Sequence, residues 1–178
     1  NITIIGGGNM ARALLGGLIA RGHGSDALAV VEIDAEARAT VAARFGVATF
    51  SAIEPAAVGN ADVIVIAVKP QNVRIVAREL ATLLKRQVVL TVAAGIRLSD
   101  LSRWLLGYRR LVRAMPNTPA AIGRGITVAV GNQRVDAANS PSLLPKCCIT
   151  RAGSIPARAA TPRIVVRSKP SAPVFLLP

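Results

Sequence analysis

A doubly wound parallel α/β sheet is the fold class this sequence predicts, and three observations predict it. A short β-branched strand, Ile2 to Ile5, runs straight into a three-glycine turn and then a helical pattern. Aliphatic runs of strand length then alternate with helical patterns as far as about Gly131, and such alternation marks βαβ units. The run Val63 to Val68 is apolar on both faces, which suits the middle of a sheet covered by helices on both sides.

Each element has its own signal. Ala11, Leu14, Leu15, Leu18 and Ile19 follow the glycines at helical spacing, so the first helix is amphipathic. Arg21 to Ser25 is a turn that holds His23, the single histidine. With no acid or nucleophile near it in sequence, His23 reads as a loop residue rather than a catalytic one. Ala27 to Ile33 is the second strand, ending at Glu32-Ile33-Asp34. Ala37, Val41 and Phe45 give the next helix its apolar side, and Gly46 ends it. Val47 to Phe50 is a short strand, and Ile53 to Gly59, which holds Pro55, is at most a short helix. The strand from Val63 stops at Lys69-Pro70, where proline ends the ladder and opens a helix carrying Val73, Val76, Ala77, Leu80 and Leu84. Val88 to Val92 is another buried strand, and Ser99 reads as the N-cap of a helix to about Leu106. Leu111 to Ala114 leads into Met115-Pro116-Asn117-Thr118-Pro119, and Thr127 to Val130 is a last strand.

Composition agrees with one domain and bounds the partners. The chain has 178 residues, 52% of them hydrophobic but only 3% aromatic, so the core is aliphatic. No apolar run reaches the ~18 residues that cross a bilayer, and no leader peptide is read. Cys147 and Cys148 are adjacent, which disfavours a bridge, and nothing beside them supplies further metal ligands. A reducing, cytoplasmic setting without metal is expected. The net charge of +13 raises the question of nucleic acid. All acids lie before Ala137, whereas Lys146, Arg151, Arg158, Arg163, Arg167 and Lys169 lie beyond it among prolines and serines, with only Phe175 to stack on a base. That is a solvated basic tail rather than a nucleic-acid arm. Seven of the 11 prolines lie from Pro141 onward, and apolar periodicity is lost there apart from Ile164-Val165-Val166. The expected organisation is a domain over 1–133 and a largely irregular basic tail over 134–178, with no second domain.

The chemistry is written in the glycine turn. Gly6, Gly8 and Ala11 fit G-x-G-x-x-G/A, with Gly7, Asn9 and Met10 between them. The first glycine makes the tight turn, the second lets a pyrophosphate approach the backbone, and the third small residue lets helix and strand pack closely. The new helix aims its free N–H groups and positive dipole end at the phosphates. The pattern is Rossmann-like and implies a dinucleotide. Glu32, about twenty residues on, is where an acid accepts hydrogen bonds from ribose hydroxyls and repels a 2′-phosphate. NAD is therefore favoured over NADP, although Asp34 also reads as the N-cap of the helix starting at Ala35. The glycine turn, Glu32, Lys69-Pro70, Ala93-Ala94-Gly95 and Met115 to Pro119 all fall at strand C-termini, so they gather along one edge.

Four stretches in order carry a resemblance. Ile5 to Ala11, Ala67-Val68-Lys69-Pro70, Val92-Ala93-Ala94-Gly95 and Arg113 to Pro119 together resemble pyrroline-5-carboxylate reductase, over about Ile2 to Gly131. The resemblance implies reduction of 1-pyrroline-5-carboxylate, a cyclic imino acid, to L-proline with NADPH or NADH, the last step of proline biosynthesis. It implies that Gly6, Gly7, Gly8, Asn9, Met10 and Ala11 hold the pyrophosphate. It implies that Ala67, Val68, Lys69, Pro70, Val92, Ala93 and Ala94 line the cofactor cleft, and that Asn117 and Thr118 sit near the nicotinamide and substrate. Lys69 reads equally as a source of site electrostatics or as a solvated strand-end lysine, and Thr118 as a site residue or as a turn residue between two prolines. Many family members carry Asn-Arg-Ser where Glu32-Ile33-Asp34 stands here. Members also continue into a helical dimerisation domain with a Ser-Gly-Ser-Gly-Pro-Ala stretch that binds the substrate carboxylate, and this sequence contains no such stretch. The change of composition after about Asn132 reads as a frame shift or a wrong gene end. The competing readings are a dinucleotide-binding remnant without turnover, and a reductase of a hydroxy acid or a deazaflavin. Met115 to Pro119 speaks against the latter.

Overall fold

The computed structural model describes residues 1–116, 126–131 and 163–167. Ile2–Ile5 is β1, Asn9–Ile19 α1, Leu28–Val31 β2, Ala35–Phe45 α2 and Ala48–Phe50 β3. Pro55–Val58 is α3, Val63–Ile66 β4, Val73–Ala81 α4, Val88–Thr91 β5 and Leu98–Trp104 α5. Leu111–Pro116 is β6, Ile126–Gly131 β7 and Arg163–Arg167 β8. Three-residue 3₁₀ turns at Ser25–Ala27 and Pro70–Asn72 lead into β2 and α4.

The strands form one sheet in the order β3-β2-β1-β4-β5-β6-β7-β8. From β3 to β6 every neighbouring pair is parallel, the doubly wound arrangement expected. β7 departs from it by running antiparallel to β6. The connection from Pro116 to Ile126 is shorter than the roughly a dozen residues a parallel crossover needs, so the chain folds straight back. β8 pairs parallel to β7 and contains the Ile164-Val165-Val166 run. The rest of 134–178, Cys147 and Cys148 included, lies outside the described residues.

Helices cover both faces of the parallel part. On one face, Ala11, Leu15 and Leu18 of α1 and Val41 of α2 pack on Ile2, Ile4, Val30, Val63, Val65 and Leu90. On the other, α3, α4 and α5 bring Val58, Val73, Ala77, Leu80 and Leu101 onto Ile5, Val31, Ile64, Ile66, Val89 and Leu111. The side chains of β1 and β4 are buried on both faces, as their unbroken aliphatic runs require.

Several boundaries follow local chemistry. Asp34 caps α2 by accepting from Ala37 N at 2.7 Å, and Gly46 ends it in the left-handed region at φ 63°. Ser99 is not a cap; it lies inside α5, which begins at Leu98 after the N-cap Arg97. That start sets Leu98 and Leu101 on the same core-facing stripe. At the amino ends of the strands, polar side chains tie the backbone. Buried Gln87 donates to Val58 O at 3.3 Å and accepts from Lys85 N at 2.8 Å. The Tyr108 hydroxyl donates to Gln87 O, Ser102 Oγ donates to Tyr108 O at 2.9 Å, and burial pushes the Tyr108 phenol up. Buried Thr3 donates to Ala57 O at 2.7 Å. Among the described residues no helix is long and apolar enough to cross a membrane.

The packing makes a simple test. Ile4 is 0% exposed and Ile75, on α4, is 61% exposed. Ile4→Ala is expected to lower the unfolding free energy by about 2–5 kcal/mol in a denaturant titration. Ile75→Ala is expected to change it by less than about 0.5 kcal/mol.

Candidate functional site

Between β1 and β4 the strand order reverses, with β2 and β3 on one side and β5 and β6 on the other. A crevice beyond the carboxyl ends of the strands at such a point is where ligands of open α/β sheets sit. The glycine turn occupies it. Gly6 has φ +100°, and a Cβ there would lie 3.0 Å from Ala67 O and 3.0 Å from Val68 Cγ1. Its N–H donates to Val31 O at 2.7 Å. Only glycine allows the turn to close between β2 and β4 in this way.

Gly7 is buried, and its N–H donates to Glu32 Oε2 at 2.6 Å. Gly8 is the N-cap of α1, with an extended backbone and no side-chain cap. A Cβ on Gly8 would meet nothing within 4 Å. The first bond of α1 runs from Arg12 N to Gly8 O at 3.0 Å. The N–H groups of the first turn have no partner inside the helix. They meet an open face with the positive end of the helix dipole behind them. A glycine with free space on its outer side, at the head of an uncapped helix, fits a pyrophosphate.

The two acids after β2 have separate tasks. Glu32, half-buried, accepts from Gly7 N through one oxygen and from Asp34 N through the other, at 3.0 Å. A carboxylate has about four lone-pair sites, so both oxygens keep capacity for ribose hydroxyls. Asp34 is exposed and committed to its cap. The cap reading thus falls to Asp34, and Glu32 is left facing the glycine turn.

Those of the remaining candidates that are described fall along the same edge. Ala67 follows β4, with its N–H on Ile5 O at 2.9 Å; Val68 is half-buried, and Lys69 and Pro70 are exposed at the 3₁₀ turn into α4. After β5, Val92 is half-buried, Ala93 buried and Ala94 exposed. Asn9 is exposed at the head of α1, beside half-buried Met10 and buried Ala11. Asn117 and Thr118 lie outside the described residues; Met115, on β6, is exposed. His23 is half-buried in the turn after α1, with its N–H on Leu18 O at 3.1 Å.

Three residues of this edge were not among the sequence candidates. Arg12 donates from Nε to Gly7 O at 3.0 Å. Arg38 donates from Nη1 to Glu32 O at 2.8 Å and Ile33 O at 3.3 Å. Thr91, 0% exposed at the end of β5, accepts from Ala93 N at 3.2 Å and so braces the Val92-Ala93-Ala94 turn. A signal for the arginines existed: each stands near the start of a helix, where a cation opposes the dipole.

Comparison with known proteins agrees with this geometry. Pyrroline-5-carboxylate reductase of Pseudomonas aeruginosa is 41% identical over 138 residues, 77% of this chain and 50% of that protein. The protein of the same name from Escherichia coli is 37% identical over 146 residues, 80% of this chain and 54% of that protein. The chain thus spans about half the length of the curated relatives it matches. A solved pyrroline-5-carboxylate reductase from Coxiella burnetii superposes with TM-score 0.79 at 32% identity, covering 96% of this chain and 59% of that one. A family model described as NADP oxidoreductase coenzyme F420-dependent matches residues 1–95, from β1 through the turn after β5. The chain therefore belongs to this family of NAD(P)-dependent oxidoreductases, with its glycine turn, Glu32 and the turns after β4 and β5 inside the shared region.

Proposed function

We propose that this chain is the cofactor-binding half of a reductase that converts 1-pyrroline-5-carboxylate to L-proline with NADH or NADPH. The observation that carries the reading is the glycine turn at the switch point, open at Gly8 and backed by Glu32. The substrate class is supported by Met115-Pro116-Asn117-Thr118-Pro119 at the end of β6 and by relatives that carry this name. A bound nicotinamide supplies a hydride, which adds to the carbon of the cyclic C=N bond while the nitrogen takes up a proton.

The residues of the chain bind and orient. Gly6 to Ala11 receive the pyrophosphate through backbone N–H groups and the dipole of α1. Glu32 receives the adenosine ribose, and its charge favours NADH over NADPH. Ala67, Val68, Pro70, Val92, Ala93 and Ala94 form the walls of the cleft. Lys69 adds positive charge at its mouth, and Asn117 and Thr118 act beside the nicotinamide and the imino acid. Positioning of this kind does most of the work in a hydride transfer. The proposed unit of binding is 1–133, in a cytoplasmic protein whose partner is the imino acid; the helical region through which the family pairs is not in this sequence.

A second reading, a dinucleotide-binding fragment without turnover, is favoured by one observation. The chain spans about half the length of the curated relatives it matches. Calorimetric titration with NADH and NADPH, followed by assay of the same sample with 1-pyrroline-5-carboxylate, separates the readings. Binding with turnover supports the reductase; binding without turnover supports the fragment; a folded chain that binds neither cofactor overturns both.

Gly8→Val is expected to leave the thermal midpoint nearly unchanged, because the protein offers the new side chain free space. The same variant is expected to lose cofactor binding, because the side chain stands where the phosphates approach. Normal affinity would contradict the assignment. Truncation after Gln133 removes β8 yet is expected to retain NADH binding; loss of binding in a truncated chain that still melts cooperatively would refute 1–133 as the unit.

A further inference from the structure

Arg12 and Arg38 hold corresponding places in the first two βα units. Each is the fourth residue of its helix, counted from Asn9 and from Ala35. Each turns back to the carbonyls of the strand-end loop before it. Arg12 Nε is 3.0 Å from Gly7 O, and Arg38 Nη1 is 2.8 Å from Glu32 O. The two anchor points are themselves joined, because Glu32 Oε2 accepts from Gly7 N at 2.6 Å. Two guanidinium groups therefore stand on the two loops that Glu32 ties together.

Neither guanidinium is ion-paired to a carboxylate among the described residues. Arg12 keeps both Nη groups, and Arg38 keeps Nε and Nη2, free of described hydrogen-bond partners. Both are half-buried and held by backbone oxygens rather than waving in solvent. Cations at these helix starts work against the dipole, and the arrangement is relieved by an anion. Neither nearby acid forms an ion pair with them: Glu32 is bonded to two backbone N–H groups and Asp34 to its cap.

Resting on the reading of the glycine turn as a dinucleotide site, we propose that Arg12 and Arg38 form a latent site for a phosphate on the adenosine ribose. The charge of Glu32 holds that site shut. A 2′-phosphate entering between the arginines gains charge-assisted bonds from both planar forks. It also meets the Glu32 carboxylate, which repels it. The choice between NADH and NADPH thus rests on one negative charge on the loops that carry the two positive ones, and its removal changes the preference without any new cation. Arg12 and Arg38 are specificity residues that act on the phosphate, distinct from the backbone N–H groups that meet the pyrophosphate.

The test uses the full chain and three ligands: NADH, NADPH and adenosine 2′,5′-bisphosphate. Glu32→Gln removes the charge while its amide oxygen can still accept from Gly7 N. NADPH and the bisphosphate are expected to bind about tenfold more tightly to Glu32→Gln than to the unaltered chain. That gain is expected to shrink at high salt. Adding Arg12→Ala or Arg38→Ala to Glu32→Gln is expected to cancel the gain, and the corresponding lysine variants to restore part of it. A thermal melt reports whether each variant still folds, and NADH affinity is expected to fall in Glu32→Gln, because the amide accepts fewer ribose hydrogen bonds than the carboxylate. NADH binding with no gain for NADPH in Glu32→Gln, or a gain that survives both arginine replacements, overturns the latent site alone. Failure of the unaltered, folded chain to bind any of the three overturns the dinucleotide reading, and this inference with it.

Discussion

The closeness of the glycine turn to the turn after β4 is the constraint on which the rest of the edge depends. At Gly6 the backbone takes a positive φ, and the Cα stands so near Ala67 and Val68 that no side chain fits. The turn is thereby wedged between β2 and β4, with its amide on Val31 O. Once Gly6 is there, Gly7 falls against Glu32 and Gly8 comes to the head of α1 with its outer side open. The switch point of the sheet and the place of the glycine turn are the same piece of geometry.

Most of this was legible in the sequence, because each element carries its own physical signal. The two-sided aliphatic run at Val63 requires a central strand, and β4 lies between β1 and β5. The glycine spacing demands a strand before it and a helix after it, and both are present. Of the acids after β2, Glu32 was read for a ribose and Asp34 also as a helix cap. Asp34 does cap α2, and Glu32 accepts from Gly7 N of the glycine turn.

What was not legible depended on distance in space or on the length of a connection. The reversal of β7 follows from a short connection after β6, whereas its apolar pattern is the same in either direction. Ser99 has the chemistry of a cap, but Leu98 wins the first position of α5 because it has core to cover. Arg12 and Arg38 read as surface charges until folding sets their helices beside the carbonyls of Gly7 and Glu32. The brace from Thr91 to Ala93 is equally invisible in a run that looks uniformly apolar.

The hydrogen bonds of Gln87, Tyr108 and Ser102 all lie at the amino ends of the strands, opposite the glycine turn. The sheet thus has a laced base and an open rim. At the base, side chains close the gaps between β4, β5 and β6; at the rim, Gly8 stands exposed at the head of α1. Rim residues can therefore be replaced one at a time while the lacing beneath preserves the framework that carries them.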